Sequence, residues 1–265
     1  MVKNINLYHG DCRDVLIDLN NDGVKVDLIL TSPPYDELRN YDNSLEWNFE
    51  VFKEISEKCY DILIVGGVMV WVVNDKTKNG SKTGTSFKQA LFMKDLGFNL
   101  HDVMIFAKNN PIPQIFHNRY QDAFEYMFVL SKGKPKTCNP IMEPCKNKGL
   151  KTPPVKQINQ DDEVIRKDKD IKIKDYKVKG NIWYYTVGCR NNYGHPAVFP
   201  KQLAIDHIKS WTNPSDIVLD PFMGSGTTGV ACRELNRKFI GIEKVEKYYH
   251  ISEDRIKAPA QTTLI

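Results

Sequence analysis

Short runs of β-branched and aliphatic residues alternate along this chain with stretches whose apolar residues recur every three or four positions. That alternation predicts a parallel sheet wrapped by helices, an α/β fold. Val26–Leu30, Ile62–Val65 with Val68–Val73, Val103–Phe106, Tyr126–Leu130, Ile217–Leu219 and Phe239–Ile242 read as strands. Ser44–Tyr60, Ser86–Leu96, Pro200–Trp211, Thr227–Leu235 and Val245–Ile256 read as helices. At 265 residues the chain can bury one large core with a lobe attached. Residues 131–180 interrupt the pattern, with Pro135, Pro140, Pro144, Pro153 and Pro154 and interleaved charge where regular elements should be. The expected organisation is therefore one domain in two halves, 1–130 and 181–265, with an irregular insertion at 131–180.

Several classes are excluded early. No apolar run approaches the roughly 20 residues that span a bilayer, so no membrane partner is expected. The segment Met1–Asn6 lacks the apolar stretch and small-residue cleavage site of a secretory leader, so the expected location is the cytoplasm. Six cysteines, at 12, 59, 138, 145, 189 and 232, form no C-x-x-C pair, which argues for reduced, packed thiols and against a zinc site or any other metal. Charge is uneven: residues 131–180 carry fourteen Lys or Arg against seven Asp or Glu, although the whole chain is only +4. Composition allows either a solvated Lys-rich surface or a polyanion contact there, and by itself favours the former.

Two loops carry chemistry. Thr31-Ser-Pro-Pro-Tyr35 follows directly on the first buried strand, outside the carboxyl end where open α/β sheets bind ligands. Consecutive prolines fix φ twice and remove two backbone donors, leaving a stiff rim of acceptors. The Ser32 oxygen and the Pro33 carbonyl could accept both protons of an exocyclic amino group, Pro34 would hold the rim, and Tyr35 would offer a stacking face to an extruded base. Farther on, Asp216-Ile-Val-Leu-Asp-Pro-Phe-Met-Gly-Ser-Gly-Thr-Thr228 reads as strand, acid, glycine turn and helix, and a second strand then ends in Glu243. That order suits a nucleoside cofactor, with helix amides facing an anion and the second acid on ribose hydroxyls. The third glycine of a dinucleotide fingerprint is missing, and no G-K-[ST] marks a triphosphate site.

Together these segments resemble the S-adenosylmethionine-dependent DNA amino-methyltransferases that modify N4 of cytosine or N6 of adenine. Catalytic motif first, basic insertion next and cofactor motif last is similar to the permuted β subgroup, which has a target-recognition region between its halves. The resemblance implies a Rossmann-like methyltransferase sheet with helices on both faces, and S-adenosylmethionine as cofactor. It carries Ser32, Pro33, Pro34 and Tyr35 over as catalytic. It carries Asp11, Cys12, Thr31, His195, Asp220, Phe222, Gly224, Ser225, Gly226, Thr227, Thr228 and Glu243 over as cofactor-binding. Asp11, in Gly10-Asp-Cys12, would accept from the adenine amino group, and His195-Pro-Ala-Val-Phe-Pro200 would line the methionine end. Arg119, Asp122 and Glu125 resemble a weaker segment on the target-base side and receive no roles.

With that resemblance the 131–180 insertion is expected to contact DNA, with Lys172, Lys174, Lys177 and Lys179 as phosphate ligands. The implied partner is double-stranded DNA with a flipped target base; a separate restriction endonuclease and a second copy of the chain are the protein partners left open. Ser32 favours N4-cytosine as product over N6-adenine, because the family's cytosine enzymes more often carry Ser at this position. Carbon-5 cytosine chemistry would need a P-C thiol, and the only such pair, Pro144-Cys145, lies in the insertion. A nicotinamide-dependent oxidoreductase could share the sheet and glycine turn, yet it would leave T-S-P-P-Y unexplained.

Overall fold

A computed structural model of the chain describes residues 5–34, 47–111, 113, 118–152, 156–158, 163–166, 171–188 and 200–258. Eight strands form its main sheet: β1 Ile5–His9, β2 Val26–Thr31, β3 Leu63–Val73, β4 Asn99–Lys108, β5 Phe124–Ser131, β6 Ile182–Tyr185, β7 Ile217–Asp220 and β8 Lys238–Glu243. Their spatial order is β1-β8-β7-β2-β3-β5-β4-β6. All pairings are parallel except those of β5, which runs antiparallel to both β3 and β4. The central strands read as near-continuous apolar runs because both faces of the sheet are covered.

Six helices do the covering: α1 Cys12–Asn21, α2 Phe49–Ile62, α3 Thr85–Leu96, α4 Lys201–Trp211, α5 Thr227–Glu234 and α6 Glu246–Lys257. Leu16, Leu19, Phe52, Ile55, Cys59 and Met93, from α1, α2 and α3, close over Ile29, Met69, Trp71, Leu130 and Ile240 in one core cluster. Two helices start where the sequence supplies a side-chain acceptor: Asp11 caps α1 through the Arg13 amide, and Asn48 caps α2 through that of Val51. α3 begins at Gly84, which has no side chain to offer, and the Asp75 carboxylate accepts from Ser86 N instead, at 2.9 Å.

The other face of the sheet, with the alternate strand residues, receives α4. There His207 is fully buried, its Nε2 3.2 Å from Met127 Sδ and its ring 4.8 Å from that of Trp183. Burial pushes its pKa down to about 3. An unfolded chain protonates this histidine near its ordinary value of 6.5 while the folded one refuses the proton until about 3, so stability falls as pH drops through that window. The loss is about 1.4 kcal/mol per pH unit from this one group, or several kcal/mol across the window. His207→Leu is expected to flatten the fall in melting temperature between neutral and acid pH; an unchanged slope would place the acid sensitivity elsewhere.

The chain divides into two compact units, Pro140–Gly180 and the remainder. Residues just before Pro140 belong to the larger unit, where Lys132 Nζ donates to the Tyr60 carbonyl and Asn139 N to that of Ser210. The smaller unit corrects the expectation of irregular chain. Residues 142–144 pair with 176–178, 151–152 with 171–172 and 156–158 with 164–166, all antiparallel and nested, as in one long hairpin. Pro144 is accommodated because a two-stranded ribbon leaves an outer row of amides that no ladder needs.

Candidate active site

β2 and β7 are neighbours at the point where the sheet reverses its winding. From β7 the chain passes through α5 to β8 on one side, and from β2 through α2 to β3 on the other. Loops leaving the carboxyl ends of two such strands part and open a crevice. Both sequence motifs lie there: Thr31-Ser-Pro-Pro ends β2, and Asp220 ends β7.

Asp220 joins them. Thr31 Oγ1 donates to its Oδ1 at 2.7 Å, Thr228 Oγ1 to its Oδ2 at 2.6 Å, and Phe222 N to Oδ1 at 3.1 Å. The carboxyl group is fully buried, and desolvation pushes its pKa up to about 6 although the three donors pull it down. Thr31 and Thr228 are themselves fully buried. Beyond Thr31, Ser32 and Pro34 are half-buried and Pro33 is buried. Tyr35 lies outside the described residues, as does His195 with its Pro196–Phe199 neighbours.

The glycine turn is held from two directions. Gly224 N donates to Glu243 Oε2 at 2.9 Å and Val245 N to Oε1 at 2.8 Å, so each carboxylate oxygen keeps acceptor capacity for a ligand. Burial raises the Glu243 pKa against the pull of those amides. Arg255, from α6, donates to both the carbonyl and the Oγ of Ser225, which occupies that hydroxyl as an acceptor and fastens the turn to the helix. Gly226 caps α5 with φ 80 and no side chain, and the Thr227 Oγ1 is buried without a hydrogen-bond partner among the described residues. An uncapped helix start, an orphaned hydroxyl and two carboxylates with spare lone pairs suit a ligand carrying both hydroxyl and charged groups.

Phe222 is half-buried, with the Trp47 ring edge-on at 5.5 Å and that of Trp71 at 6.3 Å. Trp47 thus packs beside the cofactor motif. Asp11 is engaged already: Oδ1 accepts from Arg13 N and Nε, and Oδ2 from Arg13 Nη2 and Lys244 Nζ. The Arg13 guanidinium holds its carboxyl well below the ordinary range. Cys12 is buried and its thiol is pushed far up by desolvation, so only its backbone is available to a ligand. Arg255 and Lys244 were missed by sequence reasoning. Lys244 had a signal in following Glu243 directly, whereas Arg255 had none.

In the smaller unit Lys172, Lys174 and Lys177 are exposed and Lys179 is half-buried. Lys177 Nζ lies 3.0 Å from Glu143 Oε1 across the ribbon, an exposed pair of small worth that a phosphate could displace.

Comparison with known proteins agrees with this geometry. The sequence profile of the N6/N4 methyltransferases, described as DNA methylase, matches residues 26–254. The orphan methyltransferase M.BamHII of Bacillus amyloliquefaciens is 48% identical over 241 residues, covering 88% of this chain and 89% of the relative. Among solved structures, M1.HpyAVI in complex with SAM superimposes with a TM-score of 0.66 at 28% identity, covering 96% of this chain and all of that one. The cytosine-N4-specific PvuII DNA methyltransferase reaches a TM-score of 0.71 over 97% of this chain and 88% of its own, and at 20% identity it speaks to the fold alone. A sheet whose reversal point joins T-S-P-P to D-P-F-M-G-S-G-T-T, a profile match across both motifs and so near a relative lead to one assignment, which displaces the oxidoreductase alternative: the chain belongs to the N6/N4 DNA methylase family.

Proposed function

We propose that this family member transfers a methyl group from S-adenosylmethionine to N4 of a cytosine extruded from double-stranded DNA. The observation that carries the reading is the buried bridge Thr31–Asp220–Thr228, which makes the amino-accepting loop and the glycine turn walls of one crevice. When bound, S-adenosylmethionine supplies an electrophilic methyl on a sulfonium. In this reading Ser32 Oγ and the Pro33 carbonyl accept the two amino protons and turn the nitrogen lone pair toward that methyl, while Tyr35 stacks on the base. Buried Pro33 keeps the loop from relaxing. Gly224, Ser225 and Gly226 shape the cofactor turn, Thr227 offers its unpaired hydroxyl, and Glu243 accepts from the ribose. Phe222 backs the adenine side, where Asp11 serves through its cap on α1 and Cys12 through its backbone. His195 closes the methionine end. No thiol takes part, and the proton leaves the nitrogen after transfer.

The choice of N4-cytosine rests on Ser32. Digesting DNA modified by the enzyme to nucleosides and separating them by mass should yield N4-methylcytosine. N6-methyladenine as sole product would move the assignment to the family's other base. The Pro140–Gly180 unit is, in this reading, the target-recognition element, with Lys172, Lys174, Lys177 and Lys179 on phosphates. A separate restriction endonuclease and a homodimer are compatible with it. Among the described residues no helix is long and apolar enough to cross a membrane.

Asp220 gives the reading a pH signature. The cofactor brings an amino group and a sulfonium, both cations, which favour an ionised carboxylate nearby. Asp220 ionises near pH 6 in the free protein, so affinity should be flat above that value and fall by up to about tenfold per unit below it. Calorimetry in two buffers of different ionisation heat reads the accompanying proton release. Binding without release near pH 6 would remove Asp220 from contact with either cation.

A further inference from the structure

One charged feature lies outside both the cofactor crevice and the insertion. Lys76 to Lys88 is a run of thirteen residues with four lysines, no acid and six Ser, Thr or Asn, in a chain whose acids outnumber its bases once residues 131–180 are set aside. Residues 77–78 pair with 81–82 across Asn79 and Gly80, whose φ values of 50 and 78 give the left-handed pair that closes a tight two-residue hairpin.

This hairpin is anchored. Thr83 N donates to the Lys76 carbonyl, Lys82 Nζ to the Asp75 carbonyl at 3.2 Å, and buried Asp75 takes Ser86 N and Oγ at 2.9 and 2.8 Å. From the other side Lys82 pairs with Asp122 at 2.7 Å and Arg119 Nη2 donates to the Gly80 carbonyl at 2.6 Å. Those ties occupy Lys82. Lys78 on the hairpin and Lys88 in the first turns of α3 are exposed, with no carboxylate in salt-bridge range among the described residues.

Position gives the cluster its meaning. Thr31 of β2 pairs with Trp71 of β3, two parallel neighbours whose carboxyl ends emerge side by side about 4.8 Å apart. Ser32 follows the first strand, and Lys76 comes three residues after the second ends at Val73. The hairpin therefore rises beside the amino-accepting loop, on the side away from Asp220. An extruded base stays tied to its own backbone, so the flanking phosphates must lie along the rim of whatever pocket holds it.

We propose that the hairpin around Asn79-Gly80, with the exposed Lys78 and Lys88 as its cations, holds phosphates of the DNA strand next to the extruded base. The proposal rests on that base entering beside Ser32, and it gives the larger unit a DNA contact of its own. A preformed hairpin pays little ordering entropy on docking, and two exposed ammonium groups that meet phosphates release counterions condensed on the DNA.

The test compares two variants of the whole chain, Lys78→Gln with Lys88→Gln, and Lys172, Lys174, Lys177 and Lys179 all →Gln. Each is titrated with duplex DNA across a salt series, with S-adenosylmethionine calorimetry and melting temperature as controls on folding. The hairpin pair should keep cofactor affinity and melting temperature, raise KM for DNA more than it lowers kcat, and flatten the log–log salt slope by about 0.9 for each phosphate no longer neutralised, about 1.8 for both. An unchanged slope in the hairpin pair overturns the proposal, and if the insertion variant flattens at the same time the target-recognition reading stands without it. Flattening in the hairpin pair alone supports the proposal and removes the insertion lysines from the phosphates.

Discussion

Gly226→Val should lower the melting temperature by about 10 °C and abolish S-adenosylmethionine binding with it. A Cβ at this position would meet Ser252 Cβ at 2.9 Å, Ile256 Cδ1 at 3.0 Å and Ser252 Cα at 3.1 Å, so the obstruction is the backbone and side chains of α6. The residue also sits at φ 80, where a β-branched side chain is strained. Overpacking and backbone strain together cost about 3–5 kcal/mol, a large part of the 5–15 kcal/mol that usually holds a domain folded. At about 2–4 °C per kcal/mol for a chain of this size, that gives the expected shift. The structure puts α6 behind this glycine, so loss of binding follows from loss of the turn. A variant that melts normally and binds normally would remove Gly226 from both roles.

Ser32→Ala and Tyr35→Ala should do the opposite, sparing cofactor affinity and melting temperature while lowering methyl transfer. Stacking on an aromatic ring is worth about 1–3 kcal/mol per base, so loss of Tyr35 should reduce turnover by one to two decades. Loss of Ser32 leaves one amino proton without its acceptor and the lone pair poorly aimed, with a comparable or larger effect on kcat. The contrast with Gly226 is diagnostic, since the two groups of variants separate binding of cofactor from chemistry on the base. Near-normal turnover in both alanine variants would sink the catalytic assignment.

The central strands were legible because burial on both faces turns them into unbroken aliphatic runs, as in Val26–Leu30 and Val68–Val73. β1 was not: Ile5–His9 is an edge strand with half-exposed residues, and its mixed Ile-Asn-Leu-Tyr-His carries no clear period. The junction at Ile62 misled by one or two residues, because α2 runs to Ile62 and β3 starts at Leu63 with no turn residue between them. In the insertion, ladders of two and three residues are too short to impose a period of two on a Lys-rich background. The strand, turn and helix along Asp220–Thr228 were readable because that motif is local. The Thr31–Asp220 bond spans 189 positions, and no spacing rule reaches that far. The Asn79-Gly80 hairpin went unread in the sequence, and its place beside Ser32 depends on the pairing of β2 with β3.

That same span imposes an order on biosynthesis. β2 is an almost wholly buried apolar strand lying between β3 and β7, and β7 is made nearly two hundred residues after it. At about 5–20 residues per second a nascent chain carries one naked edge of β2 for about ten to forty seconds before Ile217–Asp220 arrives to pair with it. An apolar edge with unsatisfied amides recruits other strands while it waits. The crevice is therefore among the last parts of the molecule to exist. Chains cut anywhere before Ile217 should accumulate as aggregates bound through β2, with no half-active methyltransferase among them.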